Sequence, residues 1–198
     1  DDTVVLCDNV QHLAKLNEIT HDFFKEHRLN INEGKTHVTG RWANGEPLID
    51  TLLWPGSGQA LHTAPPSESI RYLGAHINMD LDWSTHRGKM EATVMNLISC
   101  LNHKRITLQQ GCMIAKYVTG PKLETGLRHA EVDADTTEKW DTRIATALKR
   151  RAGITQSKLH YSSLFTICKI TPISDLRILS QMTQTLEMLN RRPLCRSR

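Results

Sequence analysis

The chain has 198 residues and a mass of 22.5 kDa, room for one ordinary domain or two small ones. Hydrophobic residues make up 39% and charged residues 23%, which excludes a fully disordered chain, and aromatics at 5% leave the core mostly aliphatic. The net charge of +4 is uneven: residues 1–70 carry 5 Lys/Arg against 10 Asp/Glu, residues 71–198 carry 20 against 11.

Asp1-Asp2 leads into Thr3-Val4-Val5-Leu6, a β-branched run that predicts a strand. Asp8 and Gln11 have the spacing of a capping box. Val10, Leu13, Leu16, Ile19 and Phe23 then recur in steps of three and four, predicting an amphipathic helix over 9–27 with these residues on its packed face. Residues 28–32 and 35–39 alternate around Glu33-Gly34 and predict a short hairpin. Residues 40–66 are rich in Gly and Pro and read as loop, with one short strand around Leu48–Leu53. Ser69–Leu73 predicts a strand, Gly74 a turn or bulge, and Ala75–Ile77 the return strand.

After Trp83 the pattern becomes helical. Ser84 opens a helix through Met90, Val94, Leu97, Ile98 and Leu101. Thr107 and Gln110 form a capping-box pair for a second helix, which Gly120-Pro121 stops or kinks. Asp135 and Glu138 open a third, ended by Gly153, and Thr171-Pro172 a last one through Leu176–Leu189. The fold class is therefore α+β: residues 1–80 an antiparallel-sheet part with a packed helix, residues 84–192 a helical bundle.

No apolar run approaches the roughly 20 residues of a membrane span. Cys7, Cys100, Cys112, Cys168 and Cys195 are odd in number and form no C-x-x-C, which predicts free buried thiols in a reducing compartment and no zinc module. The ten histidines show no metal-binding spacing. The first residue is Asp1, with a strand from the outset, so the expectation is a chain that begins inside a larger protein.

Asp1-Asp2 before an apolar strand, Asn32 with Lys35-Thr36 after a helix, and Tyr72-Leu73-Gly74 occur in that order. This ordered set resembles the second half of a non-LTR retrotransposon reverse transcriptase, from the second aspartates of the palm through the thumb. Asp80-Leu81-Asp82-Trp83 and Lys139-Trp140-Asp141 are similar to helical regions that follow such palms. The resemblance covers nearly the whole chain and is strongest over 1–77.

The resemblance implies an RNA-directed DNA polymerase that performs two-metal nucleotidyl transfer with Mg2+. Asp1 resembles the metal-binding carboxylate and Asp2 the neighbour that tunes the site. Lys35 resembles the palm lysine that assists pyrophosphate departure. Tyr72, Leu73 and Gly74 resemble the hairpin that grips the primer 3′ end. The helical part resembles a thumb, with Lys89, Lys104, Arg105 and Lys116 as phosphate contacts on a side continuous with that hairpin. The implied partners are an RNA template and a DNA primer, or the RNA–DNA duplex, with no membrane. The implied location is an intracellular, nuclear or cytoplasmic ribonucleoprotein.

Taken by themselves, the residues leave alternatives open. Asp1-Asp2 is also a solvated chain end, Lys35 also a solvated lysine in a hairpin, and Leu73 also a core residue. The basic residues would also serve as solvated helix faces. The 198 residues contain neither the fingers nor the earlier palm aspartate that the resemblance requires, so no activity is expected of this part alone. The alternative is a catalytically inactive, reverse-transcriptase-derived module that binds RNA or builds a ribonucleoprotein.

Overall fold

The computed structural model describes residues 3–48, 52–55, 57–103, 105–156 and 158–190. About 58% of the described residues are helix and 8% strand, an α+β composition. Two compact units divide the chain, Asp1–Asp82 and Trp83–Arg198.

In the first unit, Asn9 caps α1 (Val10–Glu26): its side-chain oxygen accepts the His12 N–H at 2.8 Å. The cap is Asn9 rather than the expected Asp8–Gln11 box. Val10, Leu13 and Ala14 pack on a small core of buried Leu52, Trp54 and Leu61, joined by Ile31 and Val38. His21 adds an edge-on contact to Trp54 at 5.9 Å. Leu16, Ile19 and Phe23 were expected on that face and are instead exposed. A three-residue core covers only a narrow stripe of a helix, and the line through Leu13 and His21 takes it.

The expected strand Thr3–Leu6 is a correction. Residues 3–7 lie exposed outside any ladder, with Leu6 at 89% exposure, because no described strand pairs with them. The expected hairpin over 28–39 is a second correction. Glu33–Lys35 forms a 3-10 turn, and β1 (His37–Val38) pairs in parallel with β2 (His62–Thr63). A parallel pair needs a crossover of roughly a dozen residues or more, which the Gly/Pro-rich segment between them supplies. Local alternation carries no information about such a distant partner. Of the strand expected around Leu48–Leu53, residues 49–51 lie outside the described residues, and Leu53 forms one bridge, to Ala60. β3 (Ile70–Tyr72) and β4 (Ala75–Ile77) form the one antiparallel pair among the described strands.

The second unit is built on α2 (Ser84–His103), which buries Met90, Val94, Leu97 and Leu101 along one stripe. α3 (Leu108–Ile114) opens on the expected capping box: Gln110 N–H donates to Thr107 Oγ1 at 3.2 Å, and Thr107 N–H to Gln110 Oε1 at 2.8 Å. Gly120-Pro121 does not stop this helix. A π-helical turn, Ala115–Thr119, carries it into α4 (Gly120–His129). Pro121 has no N–H to give to a preceding carbonyl, and the wider turn moves the hydrogen bonding from i−4 to i−5: Gly120 N–H donates to Ala115 O. Gly126 allows α2 and α4 to touch. A Cβ there would stand 2.9 Å from Met90 Sδ and 3.2 Å from His86 Nε2.

α5 (Ala134–Arg151) is capped by Asp133, which accepts the Thr136 N–H at 2.7 Å, rather than by Asp135. Lys149, Arg150 and Arg151 finish it, where cations complement the helix dipole. α6 (Tyr161–Cys168) buries Leu164 and Phe165 and was not apparent from the sequence. α7 (Ile173–Asn190) begins after Thr171-Pro172, but its cap comes from elsewhere. The buried Asp141 of α5 accepts the Ile173 N–H at 2.7 Å and the Ser174 N–H at 3.0 Å. The described cysteines are free, as expected, but not buried: Cys7 is exposed, and Cys100, Cys112 and Cys168 are half-buried. The last two pack at the margin of the core rather than inside it.

Candidate nucleic-acid interface

Three local structures carry the residues singled out above. The first is the β3–β4 hairpin. Ile70 pairs with Ile77, Arg71 with His76 and Tyr72 with Ala75, leaving Leu73-Gly74 as a two-residue turn. Both turn residues have positive φ, 47° at Leu73 and 88° at Gly74, the signature of the type I′ turn that matches strand twist. Gly adopts that geometry freely, whereas an L side chain pays roughly 1–2 kcal/mol for it. Leu73 recovers nothing by burial, being 62% exposed, so the expectation that it is a core residue is corrected. Behind the hairpin, Asn78 donates to Ser67 O at 3.3 Å and accepts the Asp82 N–H at 2.8 Å. Asp80 pairs with Arg41. The hairpin therefore stands on a fixed base and presents an apolar tip to solvent.

Asn-Gly and Asp-Gly sequences favour type I′ turns because Asn and Asp tolerate left-handed backbone. Leu73→Asn should therefore stabilise the protein, by up to about 1 kcal/mol, in urea unfolding. A loss of stability instead would mean that the exposed leucine supports the fold.

The second structure joins the residues of the Asn-Lys-Thr motif. Asn32 O accepts the Lys35 N–H at 3.0 Å and the Thr36 hydroxyl at 3.1 Å, which closes the 3-10 turn before β1. Lys35 is exposed on that turn. Asp1 and Asp2 lie outside the described residues. The chain after them runs along α1, where Leu6, Cys7, His12, Lys15, Leu16 and Ile19 line an open groove of about 510 Å³. At its edge His12 Nδ1 lies 3.0 Å from Asp8, and this hydrogen bond holds the Asp8 carboxyl below its ordinary pKa. Among the described residues, no cluster of three or more His, Cys, Asp or Glu is arranged to hold a metal ion.

The third structure is the surface of the helical unit, whose sequence holds 19 Lys/Arg against 9 Asp/Glu. Lys89 lies on α2, Arg105 on the link to α3 and Lys116 in the π turn, and all are exposed. Lys104 lies outside the described residues. Arg128 pairs with Glu124 at 3.1 Å and Arg143 with Glu91 at 3.6 Å. Among the described residues, no carboxylate pairs with Lys89, Arg105 or Lys116. Lys116 instead places its ammonium 5.1 Å from the centre of the Tyr117 ring.

Sequence reasoning missed two features. Tyr117 escaped because it lies off the apolar stripe of its helix, and periodicity marks only the packed face. Cys112 and Cys168 escaped because 56 positions separate them. Burial, and the hydrogen bond to Cys168, push the Cys112 thiol up to about 12, so it stays protonated.

No described protein family, curated protein or solved structure matches this chain.

Proposed function

We propose that this chain is the C-terminal palm and thumb part of a non-LTR retroelement reverse transcriptase, which holds template and primer for RNA-directed DNA synthesis. The observation that carries the reading is the ordered set Asp1-Asp2, Asn32 with Lys35-Thr36, and Tyr72-Leu73-Gly74. Two structural features support it. The Asn-Lys-Thr residues share one hydrogen-bonded turn, and Leu73-Gly74 forms a strained, exposed hairpin tip on a fixed base. Strained backbone of this kind clusters at active sites and ligand clamps.

Each residue then has a role. Tyr72–Gly74 brings backbone and an apolar tip against the primer end. Lys35 carries positive charge, and a proton, toward the departing pyrophosphate. The unpaired cations Lys89, Arg105 and Lys116 contact phosphates and so position a duplex without reading its sequence. Magnesium, when bound at Asp1 and Asp2 and a further carboxylate of the intact enzyme, supplies the Lewis acidity of nucleotidyl transfer.

Primer extension tests the reading. Joined to reverse-transcriptase fingers and a first palm half, the chain should copy an RNA template with magnesium present. Alone, it should bind an RNA–DNA duplex with an affinity that falls steeply with salt, and extend nothing. Duplex binding with no extension by the joined protein would favour the inactive RNA-binding module. Absence of both would overturn the reading. In the joined enzyme, Leu73→Asn should impair extension while it stabilises the fold, an opposition that a purely structural turn would not produce.

A further inference from the structure

We infer that the Lys116–Tyr117 segment of the π turn is a stacking site for an unpaired nucleotide of single-stranded RNA or DNA, an inference that rests on the nucleic-acid-binding reading above. Across the π turn the buried positions Gly111, Ala115, Thr119 and Leu123 fall four residues apart each time, before Gly126 and Leu127 follow in α4. In a regular α-helix this spacing drifts around the axis, and one of the residues between Ala115 and Thr119 turns back toward the core. The wider π turn cancels the drift. Val118, which a regular α-helix would turn back toward the core, is exposed as a result at 48%, while Lys116 and Tyr117 point outward in either geometry, Tyr117 at 63% exposure. An aromatic ring held this far out of a helix, without a core to fill, leaves a large apolar area in water.

The chemistry beside it selects the ligand. Lys116 lies 5.1 Å from the centre of the Tyr117 ring, and no described carboxylate pairs with it. Lys122, one turn further on, is also exposed. An aromatic face next to unpaired cations fits a base followed by its phosphate. A duplex offers the phosphates but keeps its base faces stacked, so the ring favours a single strand. π turns are also frequent at functional sites.

The test uses the full chain and a short oligouridylate carrying 5-iodouridine. Irradiation should cross-link the oligonucleotide to the peptide containing Tyr117. Tyr117→Ala should weaken oligouridylate binding roughly tenfold and leave the salt dependence unchanged, since stacking is uncharged. Tyr117→Phe should bind as the parent does. Lys116→Gln should lower the log–log salt slope by about 0.7 for a single strand. Thermal melts of all three variants should match the parent, because both side chains are exposed. Unaltered oligouridylate binding by Tyr117→Ala, or cross-links only elsewhere, would overturn the stacking site while leaving the broader reading in place. Duplex binding without any oligouridylate binding would overturn the site in the same way. Failure to bind either nucleic acid would overturn both.

Discussion

Asp141→Ala should destabilise the protein by about 3 kcal/mol and loosen the start of α7 from α5. Asp141 has no exposed surface, and its two oxygens accept three hydrogen bonds: Ile173 N–H at 2.7 Å, Ser174 N–H at 3.0 Å and Ser174 Oγ–H at 2.7 Å. A helix cap is worth about 1 kcal/mol, and each buried donor left without a partner costs about 1–3 kcal/mol. Against a total stability of about 5–15 kcal/mol, the loss is large. Urea unfolding measures it, and hydrogen exchange at Ile173 and Ser174 should speed up most. Asp141→Asn should cost less, since its carbonyl oxygen still accepts one bond while its amide faces the Ser174 donors. A change below about 0.5 kcal/mol for Asp141→Ala would show that α7 holds without this cap.

The same residue sets a pH dependence. Burial raises the Asp141 pKa above 3.8, and the bonds from Ser174 and Ile173 offset only part of that shift. The folded state therefore holds this proton to higher pH than the unfolded state does. Its contribution to stability is largest below 3.8, falls as pH rises through the raised folded pKa, and is flat above it. Asp141→Asn should remove this part of the slope.

Much of the helical unit could be read from the sequence because its determinants are local. The stripe Met90–Val94–Leu97–Leu101 and the Thr107–Gln110 box are contained within single elements, and both stand in the structure. Where a distant residue decides, the reading failed. Asp141 caps a helix 32 positions away, and β1 finds its partner across the Gly/Pro-rich segment. Thr3–Leu6 has the composition of a strand, but composition supplies no partner for its hydrogen bonds. At the candidate site, the order of the motifs was legible. The turn that ties Asn32 to Lys35 and Thr36 was not, and neither was the strain at Leu73, since φ is a property of the closed hairpin. Lys116 was legible as a charge, but its contact with the Tyr117 ring was not, since a side-chain rotamer decides it.

In the joined enzyme, Asp1→Asn should lower primer extension by at least about a thousandfold, whereas Lys35→Gln should lower it less. The reading places Asp1 against magnesium, where a carboxylate balances the cation and a neutral amide does not. Loss of one such charge from a closed polar site costs about 4 kcal/mol or more in the transition state, and each 1.4 kcal/mol is tenfold in rate. On the same reading Lys35 would act on the departing pyrophosphate, which water would also stabilise, so its removal should cost only part of that. Asp2→Asn should fall between the two, since on this reading Asp2 tunes the site beside Asp1. The readout is single-turnover extension across a magnesium series. Asp1→Asn should remain impaired at saturating magnesium if charge at the reacting centre is lost, and should recover if only metal affinity is reduced. A joined enzyme that copies RNA at the parent rate with Asp1→Asn would remove Asp1 from the catalytic assignment, and the ordered motif set would lose its first member.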